Sequence, residues 1–171
     1  MVIWITGISG SGKSTISNAI LKKYKNNIPN LVNIDGDVVR DLYEDKLGYK
    51  VKDRIIQIKR IQNICMLLEN QGLVVITSAL YSNDKLLTWN RNNFKNYFEI
   101  FLDANIDLVK KRDPKNIYKK YEAGTESNVV GLDIEYNIPK NPDLIIDFNK
   151  NKTINSVVNR IINSIEIFKN I

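Results

Sequence analysis

Met1-Val2-Ile3-Trp4-Ile5-Thr6-Gly7-Ile8-Ser9-Gly10-Ser11-Gly12-Lys13-Ser14 opens the chain, and its reading decides the fold. Residues Met1 to Thr6 make a short apolar run that stops at glycine, the mark of a strand buried on both faces. Gly7 to Ser14 then match G-x-x-x-x-G-K-[ST], the phosphate-binding loop motif. Coming after a strand and opening a helix predicted over Lys13 to Tyr24, the loop aims its backbone N–H groups and the helix N-terminus at one anionic site. Its glycines allow backbone angles that a Cβ forbids. The residues expected around the phosphates of ATP are Gly7, Ser9, Gly10, Ser11, Gly12 and Thr15. Lys13 is expected to neutralise the β- and γ-phosphates, and the Ser14 hydroxyl to hold Mg²⁺.

Outward from this stretch, further strands are predicted at Leu31 to Ile34, Leu73 to Thr77, Tyr97 to Leu102 and Leu144 to Ile146, each separated from the next by helical pattern. A long helix is expected from Asp53 to Asn70, where Ile55, Ile58, Ile61, Cys65 and Leu68 recur at helical spacing. Another runs from Thr153 to Phe168, with Val157, Ile161, Ile162, Ile165 and Ile167 on its apolar side. The sum is an α/β fold built around a P-loop, a three-layer sandwich with helices on both faces of a five-stranded parallel sheet. Its length suits one domain spanning residues 1–171. Residues 112–142 break the rhythm, rich in Lys, Tyr, Asn and Gly and carrying Pro114, Pro139 and Pro142. A stretch this long without a sustained apolar period reads as a lid over the site, with a plain surface insertion as the alternative.

Composition narrows the chemistry. With 43% hydrophobic and 26% charged residues, the chain resembles ordinary globular domains. There is no histidine, so a general base must be a carboxylate, a lysine, a tyrosine or water. Cys65 is the only cysteine, which excludes an internal disulfide and a cysteine-based zinc site. The opening apolar run is too short for a signal-peptide core or a membrane span, so a cytoplasmic protein with no membrane partner and no leader is expected. A formal net charge of +6 suits a polyanionic ligand such as a nucleotide, or a merely solvated basic surface. Nucleic acid is not an expected partner, because the lysines are scattered and no block interleaves them with aromatics.

Asp35-Gly36-Asp37 follows the second predicted strand, at the carboxyl edge where ligands bind in open α/β sheets. Two carboxylates there can orient an acceptor hydroxyl and fix metal-bound water. The same turn also reads as a simple helix N-cap. Arg40 lies one helical turn on, and Arg54 and Gln57 share a face of the long helix.

The loop, then IDGDVVR (34–40), LGYKVKDR (47–54), QGLVVITSA (71–79), FEIFLDA (98–104), RDPKNIYKKYEAG (112–124) and VGLDIEYNIPKNPDLIID (130–147) follow one another in order along nearly the whole chain. This series resembles the adenylylsulfate kinase family, which implies a P-loop NTPase fold of nucleoside-kinase type. The resemblance implies a phosphotransferase that moves phosphate from MgATP to the 3′-hydroxyl of a small nucleotide acceptor whose 5′-phosphate carries an activated anionic group. It implies that Asp35 receives the hydroxyl proton, that Asp37 beside it organises Mg²⁺ or the phosphates, and that Lys13 serves the transfer itself. Arg40 and Arg54 would grip the acceptor's anionic end. Tyr49, Gln57, Gly131 and Leu132 would line the acceptor site, Lys115, Lys119 and Lys120 would form a basic cover, and Arg112 would attend the nucleotide. Family members are often homodimers.

The departures from the family fall on acceptor recognition. Its F-T-G-I-D is Val129-Val130-Gly131-Leu132-Asp133 here, so one of two base-stacking rings is lost while Tyr49 keeps the other. The family's helix asparagine is Gln57, and the serine and arginine of its F-I-S-P region have become Tyr81 and Asp84. Retained phosphate chemistry with a changed acceptor resembles the family's cytidine diphosphoramidate kinases of capsule biosynthesis. That acceptor is the expectation, with adenylylsulfate as the alternative. A nucleotide-binding regulatory module is the alternative of a different class, against which the paired Asp35 and Asp37 and the lysine-rich lid both speak.

Overall fold

Strand β1 (Val2–Thr6) is wholly buried, and its alternation divides the core into two layers. Val2 and Trp4 enter one apolar cluster, Ile3 and Ile5 the other, as successive side chains on a pleated strand must. In the computed structural model, which describes residues 1–148 and 153–169, four more strands flank it: β2 (Leu31–Asp35), β3 (Val74–Ala79), β4 (Tyr97–Asp103) and β5 (Leu144–Asp147). All pair in parallel, in the order β2-β3-β1-β4-β5.

Helices cover both faces. On one lie α1 (Lys13–Tyr24) and the late helix over Ile154–Ser164, which bury Ile16, Ile20, Val157 and Ile161 against Ile3, Ile5, Ile76 and Ile100. On the other, α2 (Gly36–Asp41), α3 (Val51–Asn70) and α4 (Asp84–Asn93) set Val39, Ile58, Ile61, Cys65, Leu86 and Leu87 on Val2, Trp4 and Val75. Two short helices, α5 (Ile106–Arg112) and α6 (Ile117–Glu122), complete the set before the late helix, α7. Burial pushes the Cys65 thiol up to about 12, so it serves as an apolar core residue. Among the described residues no helix is long and apolar enough to cross a membrane.

Three boundaries differ from the sequence expectation by two residues or more, each for a local reason. Strand β3 runs on through Ser78 and Ala79, because the ladder to β1 continues to the Thr6–Ala79 pair although those residues have little strand propensity. Helix α3 starts at Val51, before its first acidic residue. The final helix stops at Ser164: Ile165 turns extended to bury its side chain, and a 3₁₀ turn at Glu166–Phe168 follows. Core position is expected to dominate stability. Ile76→Ala should cost about 2–5 kcal/mol in urea unfolding, and Leu67→Ala on the exposed side of α3 should stay within about 0.5 kcal/mol.

Candidate functional site

The carboxyl ends of β1, β2 and β3 open into a cavity of about 650 Å³ whose floor is the loop after β1. Gly7 sits at φ 155°, and a Cβ there would lie 2.8 Å from Ser11 Oγ and 2.9 Å from the Leu102 carbonyl. Only glycine fits. Gly12, at φ 90°, leads directly into α1. Lys13 folds back, donating from Nζ to the carbonyls of Gly7 at 2.8 Å and Ile8 at 2.9 Å. Burial lowers its pKa to about 8, against the opposing pull of Asp37 and Asp35, while Lys115 adds to the lowering.

Asp35 ends β2 and caps α2. Its Oδ1 accepts from the Asp37 backbone N–H at 2.9 Å, and its Oδ2 accepts from Ser14 Oγ at 2.5 Å. The capping reading of this turn is therefore realised, in a carboxylate that also lines the cavity. Between the two acids only glycine is allowed, since a Cβ on Gly36 would come within 2.9 Å of the Ser78 carbonyl. Asp37 pairs with Lys115, which reaches over from the segment after α5.

On the far wall, two guanidinium groups flank Tyr49. Arg40 lies 4.8 Å from the ring centre and donates to the carbonyls of Leu47 and Gly48, each at 3.0 Å. Arg54 lies 5.5 Å from the ring and donates from Nε to the Tyr49 carbonyl at 2.9 Å and from one terminal nitrogen to the Asn128 carbonyl at 2.6 Å. Burial, and then the neighbouring Arg40, depress the Arg54 pKa. Gln57, buried one turn beyond Arg54, spends its Nε2 on the Gly36 carbonyl at 2.8 Å. The carbonyl can only accept, so the amide orientation is determined.

Of the residues singled out from sequence, Ser9, Gly10, Gly12, Lys13, Ser14, Thr15, Asp35, Asp37, Arg40, Tyr49, Arg54, Gln57, Arg112 and Lys115 share the cavity wall. Arg112 lies 5.4 Å from the ring of Phe148, another wall residue. Gly7, Ser11, Lys119, Lys120, Gly131 and Leu132 are not part of the wall. Ser11 is buried within the loop, its N–H donating to the Ile8 carbonyl at 3.2 Å. Lys119 and Lys120 are exposed on α6. Gly131 and Leu132 belong to the turn that folds Ile134 back on Val129.

The stretch expected as a lid is more strongly fastened than its composition suggested. Tyr118 is buried with Ile8, Val109 and Val129, and its hydroxyl donates to the Ser9 carbonyl at 2.9 Å. Further on, Ser82 Oγ donates to the Asn137 carbonyl at 2.9 Å, Tyr136 stacks on Phe101, and Arg91 binds the Asn141 carbonyl and Asp143. Sequence reading also missed Asp133. Its carboxylate accepts from the N–H groups of Asn128 at 2.7 Å and Val129 at 2.5 Å. The signal available was an acid closing an N-V-V-G-L-D turn.

Comparison with known proteins bears on this arrangement directly. The profile of the adenylylsulphate kinase family matches residues 1–147. The chain belongs to that family. An adenylyl-sulfate kinase of Staphylococcus carnosus is 34% identical over 168 residues, covering 97% of this chain and 84% of the relative. One from Pseudomonas entomophila is 36% identical over 161 residues, covering 93% and 77%. Among solved structures, the APS kinase CysC of Mycobacterium tuberculosis, in complex with AMPPNP and APS, superposes with a TM-score of 0.86 at 28% identity, over 95% of each chain. A hexameric APS kinase from Thiobacillus denitrificans, 19% identical with a TM-score of 0.71, covers 97% of this chain and 28% of its own and shares the fold. As an adenylylsulfate-kinase-type enzyme, the protein is an ATP-dependent nucleotide kinase and a phosphotransferase with an alcohol as acceptor.

The lowered pKa of Lys13 gives this kinase a pH signature. With its pKa lowered to about 8 by burial, the free ammonium should lose its proton near that pH, and the phosphate-binding role expected of Lys13 calls for the charged form. kcat/KM for ATP, which reports the free enzyme, should therefore fall about tenfold per pH unit above about pH 8. kcat should stay level to higher pH, because bound phosphates hold the proton on. A kcat/KM that stays level up to about pH 9.5 contradicts the assignment.

Proposed function

We propose that the protein transfers the γ-phosphoryl group of ATP to the 3′-hydroxyl of adenylylsulfate. The observation that carries this reading is the 2.5 Å bond from Ser14 Oγ to Asp35 Oδ2. It joins the phosphate loop to a carboxylate, a kind of general base open to a histidine-free chain, so an acceptor hydroxyl on Asp35 stands next to the phosphate that will leave ATP. The curated relatives, adenylyl-sulfate kinases by name, support this acceptor over the one expected from sequence.

In this reading Lys13 leaves the carbonyls of Gly7 and Ile8 for the β- and γ-phosphate oxygens. Asp35 takes the hydroxyl proton as the new O–P bond forms, and ADP departs. Arg40 and Arg54 hold the acceptor's anionic end through planar donor forks. Residues 113–129, fastened to the phosphate loop through Tyr118, cover the phosphates with Lys115 and exclude water, and Lys119 and Lys120 add positive charge on the outer side of that cover. The donor set around Ser14, Asp35 and Asp37 is hard oxygen and suits Mg²⁺. Among the described residues no group of three or more acids, cysteines or histidines could hold the ion unaided, as fits a metal that shares its coordination with phosphate and water. When bound, Mg²⁺ offsets charge on the phosphates.

A second reading, cytidine diphosphoramidate as acceptor, has one observation in its favour. Val129, where the family carries a ring, is buried against Ile8, Val109 and Tyr118, so nothing aromatic stands at that position to sandwich a purine against Tyr49. A base-stacking ring is worth about 1–3 kcal/mol at such sites.

ADP release measured with each acceptor separates the readings, the faster substrate identifying the base and end group. ADP appearing equally fast without any acceptor contradicts both. Asp35→Asn should lower kcat by about 10²–10⁴-fold with ATP affinity retained. Asparagine caps helices as well as aspartate does, so α2 should keep its start. A loss of ATP affinity instead contradicts the role given to Asp35.

A further inference from the structure

Arg54 enters the cavity already aimed. A guanidinium has five N–H donors, and here Nε and one terminal nitrogen are directed at the carbonyls of Tyr49 and Asn128, leaving the remaining donors free for an anion. Two fixed carbonyls thus orient the fork before any ligand arrives. The carbonyl of Asn128 can serve only because its residue adopts an unusual backbone conformation. Asn128 sits at φ 61°, in the left-handed region that non-glycine residues rarely occupy.

That conformation has a visible cause. Asp133 reaches back across the turn with both carboxylate oxygens, Oδ2 to the N–H of Asn128 at 2.7 Å and Oδ1 to the N–H of Val129 at 2.5 Å. The turn is closed further by the Gly131 N–H on the Ile134 carbonyl at 2.8 Å and by the Ile134 N–H on the Val129 carbonyl at 3.1 Å. With its N–H turned to Asp133, Asn128 presents its carbonyl to Arg54. With its own N–H likewise fixed, Val129 is buried beside Ile8 of the phosphate loop and Tyr118 of α6. Asp133 itself is exposed and absent from the cavity wall, so it touches neither substrate.

We infer that Asp133 is a positioning residue for the acceptor, acting through the Asn128 carbonyl to hold the Arg54 guanidinium in the orientation that receives the acceptor's anionic end. This rests on the reading above in which Arg54 binds that end. Charge at Asp133 also opposes the effect of burial on Arg54, in keeping with one electrostatic unit. Because the carboxylate is exposed, its loss should leave the fold intact while releasing the loop.

The experiment is a double-mutant cycle on steady-state constants, with ATP and adenylylsulfate or cytidine diphosphoramidate, whichever the protein uses. Asp133→Asn, which keeps the shape but replaces one acceptor by a donor, should raise the acceptor KM about tenfold and leave the ATP KM within about twofold. Arg54→Ala should raise the acceptor KM at least as much. Combined, the two should cost no more than Arg54→Ala alone, because the carboxylate works only through the guanidinium. A melting temperature within a few degrees of the parent shows that the loop, not the fold, has changed.

The inference is overturned if Asp133→Asn moves both KM values together, moves neither, or multiplies with Arg54→Ala. An Arg54→Ala variant with unchanged acceptor KM removes the reading beneath it. Absence of acceptor-dependent turnover in the parent protein removes the proposed function and this inference with it.

Discussion

One hydrogen bond, from the Ser14 hydroxyl to the Asp35 carboxylate, ties the two halves of the site together. Ser14 belongs to the first turn of α1 and Asp35 to the end of β2, elements carried by strands that are not neighbours, since β3 lies between β1 and β2. Only the parallel register across those three strands brings the phosphate loop level with the acidic turn. That register follows from burial: strands enclosed on both faces must interleave their branched side chains with two helical layers, and a one-residue slip would exchange the layers. The chemistry therefore depends on the packing of Ile3, Ile5, Ile76 and Val75 as much as on the polar residues themselves.

Much of this was legible in the chain itself. The phosphate loop, all five strands and the long helix with its Ile58, Ile61 and Cys65 stripe are local patterns with local causes, and they stand where their periods put them. The acidic turn was legible as a carboxylate pair, and the carboxylate that makes its capping bond also lines the cavity. What was not legible came from contacts distant in sequence. Lys119 and Lys120 share a segment with Lys115, yet only Lys115 reaches the cavity, because Asn116 turns left-handed at φ 54° and α6 directs its buried side at the phosphate loop through Tyr118. Asp133 escaped notice for a different reason: its partners are nearby backbone groups, so the acid closing the turn was the one trace it left in the residues.

The segment from 112 to 142 shows how composition can mislead. Its lysines, asparagines and prolines suggested a loosely held cover, but Tyr118, Val129, Val130, Ile134 and Tyr136 are apolar anchors spaced too irregularly to register as a period. Its second half is fixed to β4 and α4 by Tyr136 and Arg91. The cavity wall proposed for the acceptor is similarly composite, with α2, α3 and the Asn128 turn each contributing a part. A change of acceptor within the family can therefore arise from a few substitutions at those seams while the phosphate loop stays untouched.

The internal carbonyls that receive Lys13, Arg40 and Arg54 carry a thermodynamic consequence. These cations have already shed much of their hydration and settled against the dipoles of Gly7, Ile8, Leu47, Gly48, Tyr49 and Asn128. In the proposed reaction an arriving anion meets arginine forks already oriented by folding, while Lys13 exchanges one set of oxygens for another, so little solvent has to reorganise as charge shifts between donor and acceptor.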